Sequence, residues 1–215
     1  ERVARDVPRP LPAEAAPGWL RLANSRAKID QTLVNAYDAV HANRLDEARS
    51  AYEQVLHSDP RNVDALLGLA AIATRQGHSE RAQQLHLRAL EANPADVSAQ
   101  AALINLRGPS DSGHAESRLK TLLAGQPDTP GLHFALGNLY ARQGRWSEAQ
   151  QAYFQAYALE PENADYLYNI AVSLDHLRQS KLAAQYYRMA LAAAETRRGA
   201  FDENAAGKRL LELQR

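Results

Sequence analysis

Apolar residues return at steps of three, one and three along much of this chain. Leu66, Leu69, Ala70 and Ala73 follow that rule, and so do Leu167, Ile170, Ala171 and Leu174. The spacing places them on one face of a helix. Such runs last about 13 residues, or about 20 Å at the helical rise. Short polar turns separate them. The pattern predicts helix for about three-quarters of the residues and no sheet, against the usual third.

Prolines punctuate the pattern. Pro60, Pro94, Pro127 and Pro161 are separated by 34, 33 and 34 residues, and each ends a helical run. Proline cannot continue a helix and restricts the residue before it. Twelve residues before each stands an alanine: Ala48, Ala82, Ala115 and Ala149. A second residue at one fixed offset makes the period a structural repeat. Small residues at Ala70, Gly137, Ala82 and Ala149 mark where two helices nearly touch. Leu69, Leu136, Ile170, Tyr153 and Tyr187 fill the gaps beside them. Gly77 and Gly144 stand in turns where positive φ is expected after a first helix.

This arrangement resembles the tetratricopeptide repeat family, whose pattern is Trp-x2-Leu-Gly-x2-Tyr, then Ala-x3-Phe, then Pro. The fourth repeat carries His133, Leu136, Gly137, Tyr140, Ala149, Tyr153 and Pro161 at those positions. The second reads Leu66, Leu69, Ala70, Ala73, Ala82, His86 and Pro94. The fifth reads Leu167, Ile170, Ala171, Leu174, Ala183 and Tyr187, with no closing proline. The first keeps Ala48, Tyr52 and Pro60 but has a weak first helix. The third is one residue short, with a turn from Gly108 to Gly113 that reads as mobile. The resemblance implies an all-α fold: a right-handed α-solenoid of about five helix pairs over residues 29–197. One pair cannot bury its apolar face alone, so neighbours stack.

The ends read differently. Residues 1–18, with Pro8, Pro10, Pro12 and Pro17, have the composition of an extended tether. Residues 19–28, opening Trp19-Leu20-Arg21-Leu22, either start an extra helix or pack on the first repeat. Over residues 198–215, Asp202 is placed to cap a last helix running to about Gln214, with Leu210, Leu211 and Leu213 on its apolar side.

Composition narrows the chemistry. Hydrophobic residues are 45%, much of it alanine, and three Phe and two Trp leave little bulk for one deep core. The 25 basic and 25 acidic residues balance, which argues against a nucleic-acid face. Arg197, Arg198, Lys208 and Arg209 interleave with Glu195, Asp202, Glu203 and Glu212, as on a solvated helix face. Without cysteine there is no disulfide, thiolate zinc site or thiol nucleophile. No stretch approaches the roughly 20 apolar residues of a membrane span.

The seven histidines form no His-Glu-x-x-His motif. His86 and His133 fall at core repeat positions, and His41, His78 and His176 in or beside turns. Carboxylates such as Glu160, Glu162, Asp202 and Glu203 sit at helix ends, where they favour capping. No phosphate-cradling glycine loop or nucleophile elbow is present. The sequence points to no catalytic residue, cofactor or metal, and the repeats take up nearly all of it.

In the family resembled, first helices line a concave binding groove. Matching position by position implies a protein- or peptide-binding surface of Tyr37, Leu67, Ala71, Arg75, Asn105, Phe134, Asn138, Arg142, Tyr168, Asn169, Val172 and Asp175. Repeats four and five match the family best, so binding is expected to centre there. Asparagines would hold peptide backbone and Phe134 and Tyr168 would take side chains. The outward members of Tyr153-Phe154 and Tyr186-Tyr187 are the competing convex surface. One branch of the family clamps a C-terminal carboxylate with Lys and Asn. The equivalents here are Leu33, Tyr37, Gly68, Ser98 and Ala102, so that clamp is missing.

The runs Leu132–Asn138, Ala149–Tyr157 and Asn169–Leu177 also resemble proteobacterial repeat proteins of type IV pilus biogenesis, of the mannose-sensitive-haemagglutinin sort. That resemblance implies an assembly factor for a bacterial envelope machine. It further implies a periplasmic repeat domain behind one membrane helix encoded before Glu1. The alternatives are a cytoplasmic peptide-sensing regulator and an accessory repeat domain of a larger enzyme.

Overall fold

The computed structural model describes residues 18–106 and 112–214, and side chains for 28–106 and 113–214. The Pro-rich start and most of the turn at 107–111 lie outside the described residues. Eleven α-helices make up the described chain: α1 Gly18–His41, α2 Leu45–Ser58, α3 Val63–Arg75, α4 Ser79–Ala92, α5 Val97–Leu106, α6 Ser112–Gly125, α7 Pro130–Arg142, α8 Trp146–Leu159, α9 Ala164–His176, α10 Ser180–Thr196 and α11 Glu203–Leu213. No strand occurs among the described residues.

Local chemistry sets the ends. The Asn62 side chain accepts the Ala65 amide at the start of α3, and Asn163 accepts the Asp165 amide at the start of α9. Each satisfies one of the orphan donors of a helix N-terminus. Pro130 opens α7, where its missing N–H costs nothing. The four repeat prolines stand two residues beyond α2, α4, α6 and α8. Gly77 and Gly144 have φ of 75° and 72° in the turns inside repeats two and four. The same frame position is held by Asn43 at 55° and by Arg178 at 59°.

Helices pair as α1/α2, α3/α4, α7/α8 and α9/α10, and successive pairs stack into an α-solenoid. Ala48, Ala82, Ala149 and Ala183 are fully buried at the crossings. Ala115, at the same offset in α6, is only partly buried. The third pair explains why: α5 and α6 hardly touch, and each rests on α7 instead. Two core clusters meet there. Ala99 of α5 belongs with α1–α4, whereas Ala101 and Ile104 belong with α7–α11.

The ends follow suit with two adjustments. Residues 19–28 are the opening turns of α1, continuous with the first helix of repeat one rather than a separate helix. Asp202 caps α11, accepting the Asn204 and Ala205 amides. Ala206 is the residue α11 buries, with Leu210 and Leu213 packed beside it. Leu211 is 63% exposed, so it does not join the apolar side expected of it.

Candidate functional site: the row of first helices

Three openings follow one another along the first helices. The widest, about 530 Å³, lies between α1 and α3. A second, about 210 Å³, lies between α5 and α7, and a third, about 320 Å³, between α7 and α9. This row is the face where the sequence placed its binding residues.

The first opening gathers Tyr37, Leu67, Ala71 and Arg75. Val34 and Tyr37 are each 54% exposed at its rim. Gly68 lets the Tyr52 ring lie under it: a Cβ there would stand 2.3 Å from the Tyr52 ring. The Tyr37 ring meets His41 edge-on, with centroids 4.0 Å apart. Both His41 ring nitrogens are sealed from solvent without a partner. Burial lowers the His41 pKa, helped by Arg197 and Arg75 and opposed by Asp38, so the ring favours its neutral form. Arg75 donates to the Val40 carbonyl at 3.2 Å and the Arg198 carbonyl at 3.3 Å.

The second opening holds Asn105 and Phe134, with Phe134 against Tyr166 at 4.9 Å and Tyr153 at 5.7 Å. Arg142, from the third opening, donates to Asn105 at 3.4 Å. The third holds Asn138, Arg142, Asn169 and Val172 beside Trp146, whose ring stacks on His176. Here the polar groups already have partners. Asn138 accepts the Tyr153 hydroxyl at 2.9 Å, and Asn169 donates to the Asp165 carbonyl at 2.8 Å.

At repeat five the chain covers its own first helix. Phe201 stacks on Tyr168 at 4.4 Å and 4°. The Asp165 carboxylate accepts the Ala200 amide at 2.6 Å. Asp175 binds Arg209 of α11 through both oxygens, at 2.6 and 2.8 Å. Tyr168 and Asp175, expected to face an open groove, therefore hold the C-terminal segment. Burial raises the Asp165 pKa, against the Ala200 hydrogen bond and the fields of Arg75 and Arg197.

His86 is buried as its repeat position requires, with burial lowering its pKa. His133 is only partly buried and meets the Pro127 carbonyl at 2.7 Å. On the convex side, Phe154 and Tyr186 pack edge-on at 5.6 Å, with Tyr157 against Tyr186 at 6.4 Å. Sequence reasoning missed Phe201 and Asp165, which close repeat five, and it read Arg197 and Arg209 as part of a solvated helix face, whereas Arg209 binds Asp175 and Arg197 reaches the first opening. None sits at a repeat position. Among the described residues no group of three or more His, Asp or Glu could hold a metal ion. No described helix is long and apolar enough to cross a membrane.

Tetratricopeptide-repeat models match residues 39–106, 110–158 and 134–198. Among solved structures, the chain is similar to a thermophilic repeat protein of Thermus thermophilus. The TM-score is 0.67 at 21% identity, covering 86% of this chain and 98% of that one. A tetratricopeptide repeat protein of Parabacteroides merdae gives 0.66 at 16% identity, covering 87% and 71%. Both show the fold alone. Cellulose synthase operon protein C of Pseudomonas fluorescens is 26% identical over 150 residues. That match takes in 66% of this chain but spans 12% of the relative's length.

Proposed function

This chain belongs to the tetratricopeptide repeat family, a protein-interaction scaffold, and from that premise we propose that it docks partner proteins along its first helices for a bacterial envelope machine. The observation that carries the docking is the apolar cleft between α1 and α3, with Val34 and Tyr37 exposed at its rim. Apolar exposure of this kind favours a partner's side chains. Repeats four and five contribute less, because Tyr168 and Asp175 are taken by the chain's own C-terminal segment. The envelope setting rests on the likeness to type IV pilus assembly proteins. With it goes a place outside the cytoplasm behind a membrane helix encoded before Glu1. The reading assigns the chain no catalytic step.

The test is capture of partners from envelope extract by two variants whose helical circular dichroism matches the parent. Ala71→Arg blocks the cleft; Phe154→Ala with Tyr186→Ala strips the convex face. Ala71→Arg is expected to lose the partners and the convex variant to keep them. The reverse result would put docking on the convex side. A full-length gene with only a soluble cytoplasmic start would remove the envelope setting.

A second reading follows from the 12% span of cellulose synthase operon protein C. There the matching stretch is a small part of a much longer chain. By the same token these repeats would be one segment of an accessory array attached to a larger, catalytic protein. A catalytic domain in the same open reading frame would establish it.

A further inference from the structure

The cleft over α1 and α3 is built from both ends of the chain. Its walls belong to repeats one and two, but Arg197 enters it from the loop after α10. That loop is fixed from behind. Phe201 lies on Tyr168, the Ala200 amide donates to Asp165, and the Arg198 carbonyl accepts Arg75 from 123 residues away. Arg75 and Arg197 thereby meet beside His41 at one end of the cleft, where the fields of both act on that ring.

These two guanidiniums are not paired with carboxylates. Arg75 donates to main-chain carbonyls, one of them Val40 at the end of α1, which answers the negative end of that helix. Among the described residues neither Arg75 nor Arg197 forms an ion pair. A guanidinium carries five donors, so both retain several. The acids in range are Asp38 on α1, Asp165 on α9 and Asp64 on α3. Asp165 accepts the Ala200 amide and is raised in pKa by burial, which weakens its charge beside the two arginines. Asp64 lies eleven residues before Arg75, about 16 Å along the helix at 1.5 Å per residue. The cleft lining is therefore apolar along its length, with Asp64 at one end and the Arg75 and Arg197 guanidiniums at the other, where Asp38 and Asp165 lie nearby but outside the lining. That span suits about five residues of extended chain.

We propose that the cleft takes an extended segment of a partner protein in which an apolar side chain precedes a carboxylate, with the carboxylate seated between Arg75 and Arg197. The inference rests on the docking reading above and names its ligand chemistry. The apolar side chain covers Leu67 and Ala71, between Tyr37 and Gly68. The carboxylate gains charge-assisted, forked hydrogen bonds. Asp64 repels an acid bound in the opposite direction, so one polarity of the segment wins. The carboxylate seat differs from the family's clamp: of the clamp positions, Leu33, Tyr37 and Gly68 line the cleft without charge, and half of the seat's charge comes from the loop after α10.

The probes are N-acetyl-leucyl-glutamate amide and its neutral isostere N-acetyl-leucyl-glutamine amide, titrated at millimolar concentration into the full chain while backbone amide NMR shifts are followed. The acid is expected to shift amides of residues 33–41, 67–75 and 197, with the isostere about tenfold weaker, the difference one charge-assisted contact makes. Arg197→Gln should weaken the acid severalfold toward the isostere's affinity, with Arg75 still facing the carboxylate, and leave the isostere unchanged. Ala71→Arg should abolish both. Equal affinity for the two probes, no shifts in those segments, or an unaltered acid affinity in Arg197→Gln would each overturn the proposal. If the carboxylate preference fails while Ala71→Arg still loses its partners from extract, docking stands without this chemistry. If the acid binds as described but Ala71→Arg keeps every partner, the site stands and the docking reading falls.

Discussion

In repeats one and two the first helices leave Val34 and Tyr37 half exposed over a cleft, with a core of alanine, leucine and a single buried tyrosine beneath. In repeats four and five the same face carries more aromatic and polar groups, yet many of these are already engaged and the opening there is smaller. Asn138, Asn169, Tyr168 and Asp175 all bond or stack within the chain. The difference is one of termination. A stack of repeats must cover its last apolar face, and here α11 and the loop before it do so from the groove side. Tyr168 and Asp175 are consumed by that cover, while Asn138 and Asn169 are held within their own helix pairs. The plainer repeats are left open.

The sharpest way to break this comparison is to unload one half. Ile170 is fully buried in the core shared by repeats four and five. Ile170→Ala should cost about 2–5 kcal/mol. Because the two core clusters are distinct and α5 contributes to both, hydrogen exchange should quicken in α7–α11 well before α1–α4. Equal loss of protection in both halves would show that the two clusters unfold as one.

A smaller effect separates two glycines. A Cβ at Gly137 would stand 2.4 Å from the Tyr153 ring, and one at Gly68 would stand 2.3 Å from the Tyr52 ring. The distances match; the surroundings do not. Tyr153 is 2% exposed and its hydroxyl is tied to Asn138, so it has nowhere to go. Tyr52 meets the new methyl with the far end of its ring and borders the open cleft. Gly137→Ala should therefore cost about 1–3 kcal/mol by overpacking. In Gly68→Ala the ring's shift is offset by the roughly 1 kcal/mol that alanine gains over glycine in a helix. Melting curves check both, and a Gly68→Ala loss as large as that of Gly137→Ala would mean that the cleft has no slack.

The two halves also differ in how they answer acid. Glu116 ties the loosely paired α6 to its neighbours. It accepts Lys120 at 2.7 Å, Tyr140 at 3.0 Å and Arg145 at 2.7 Å, and Arg145 also lies 4.2 Å over the Tyr140 ring. Hydrogen bonds from Lys120 and Arg145 hold its carboxyl down at about 2. A folded pKa below the unfolded one contributes stability that is present above about 4.5 and lost as pH falls toward 2. The ion pairs of repeats one and two, such as Arg49 with Asp46, lie on the surface and contribute little. Glu116→Gln should lower stability by about 1 kcal/mol at neutral pH. It should also flatten the melting temperature's fall between about pH 5 and 2. A parent-like acid profile in Glu116→Gln would remove the network from the account.

Much of this was legible in the chain because repetition makes local chemistry visible. Ala48, Ala82 and Ala149 are fully buried at one offset, Gly77 and Gly144 take positive φ, and Asp202 caps the last helix. The departures come from contacts that no period carries. Phe201 meets Tyr168 across 33 residues and Arg75 meets the Arg198 carbonyl across 123. Neither Phe201 nor Arg198 occupies a repeat position, so the pattern gave no reason to bring either to the groove. Ala115 kept the offset but not the burial, since its helix leans on α7 rather than on its own partner.

The smallest predicted effect is a gain, and it tests whether the frame reaches across both halves. The turn inside each of these repeats needs one residue at positive φ. Repeats two and four supply Gly77 and Gly144, repeat one supplies Asn43 at 55°, and repeat five supplies Arg178 at 59°. The spacing of 34 residues makes these the same position. Asparagine tolerates the left-handed region, but a long side chain there costs about 1–2 kcal/mol. Glycine removes that strain and gives back part of it, about 0.5–1 kcal/mol, in the entropy of the unfolded chain. Arg178 is exposed, so its loss removes no buried contact. Arg178→Gly should therefore stabilise the chain by about 0.5–1 kcal/mol, whereas Asn43→Gly should change it by less. Chemical denaturation of both variants decides it. A loss of stability in Arg178→Gly would show that the fifth turn is held by the arginine side chain rather than strained by it.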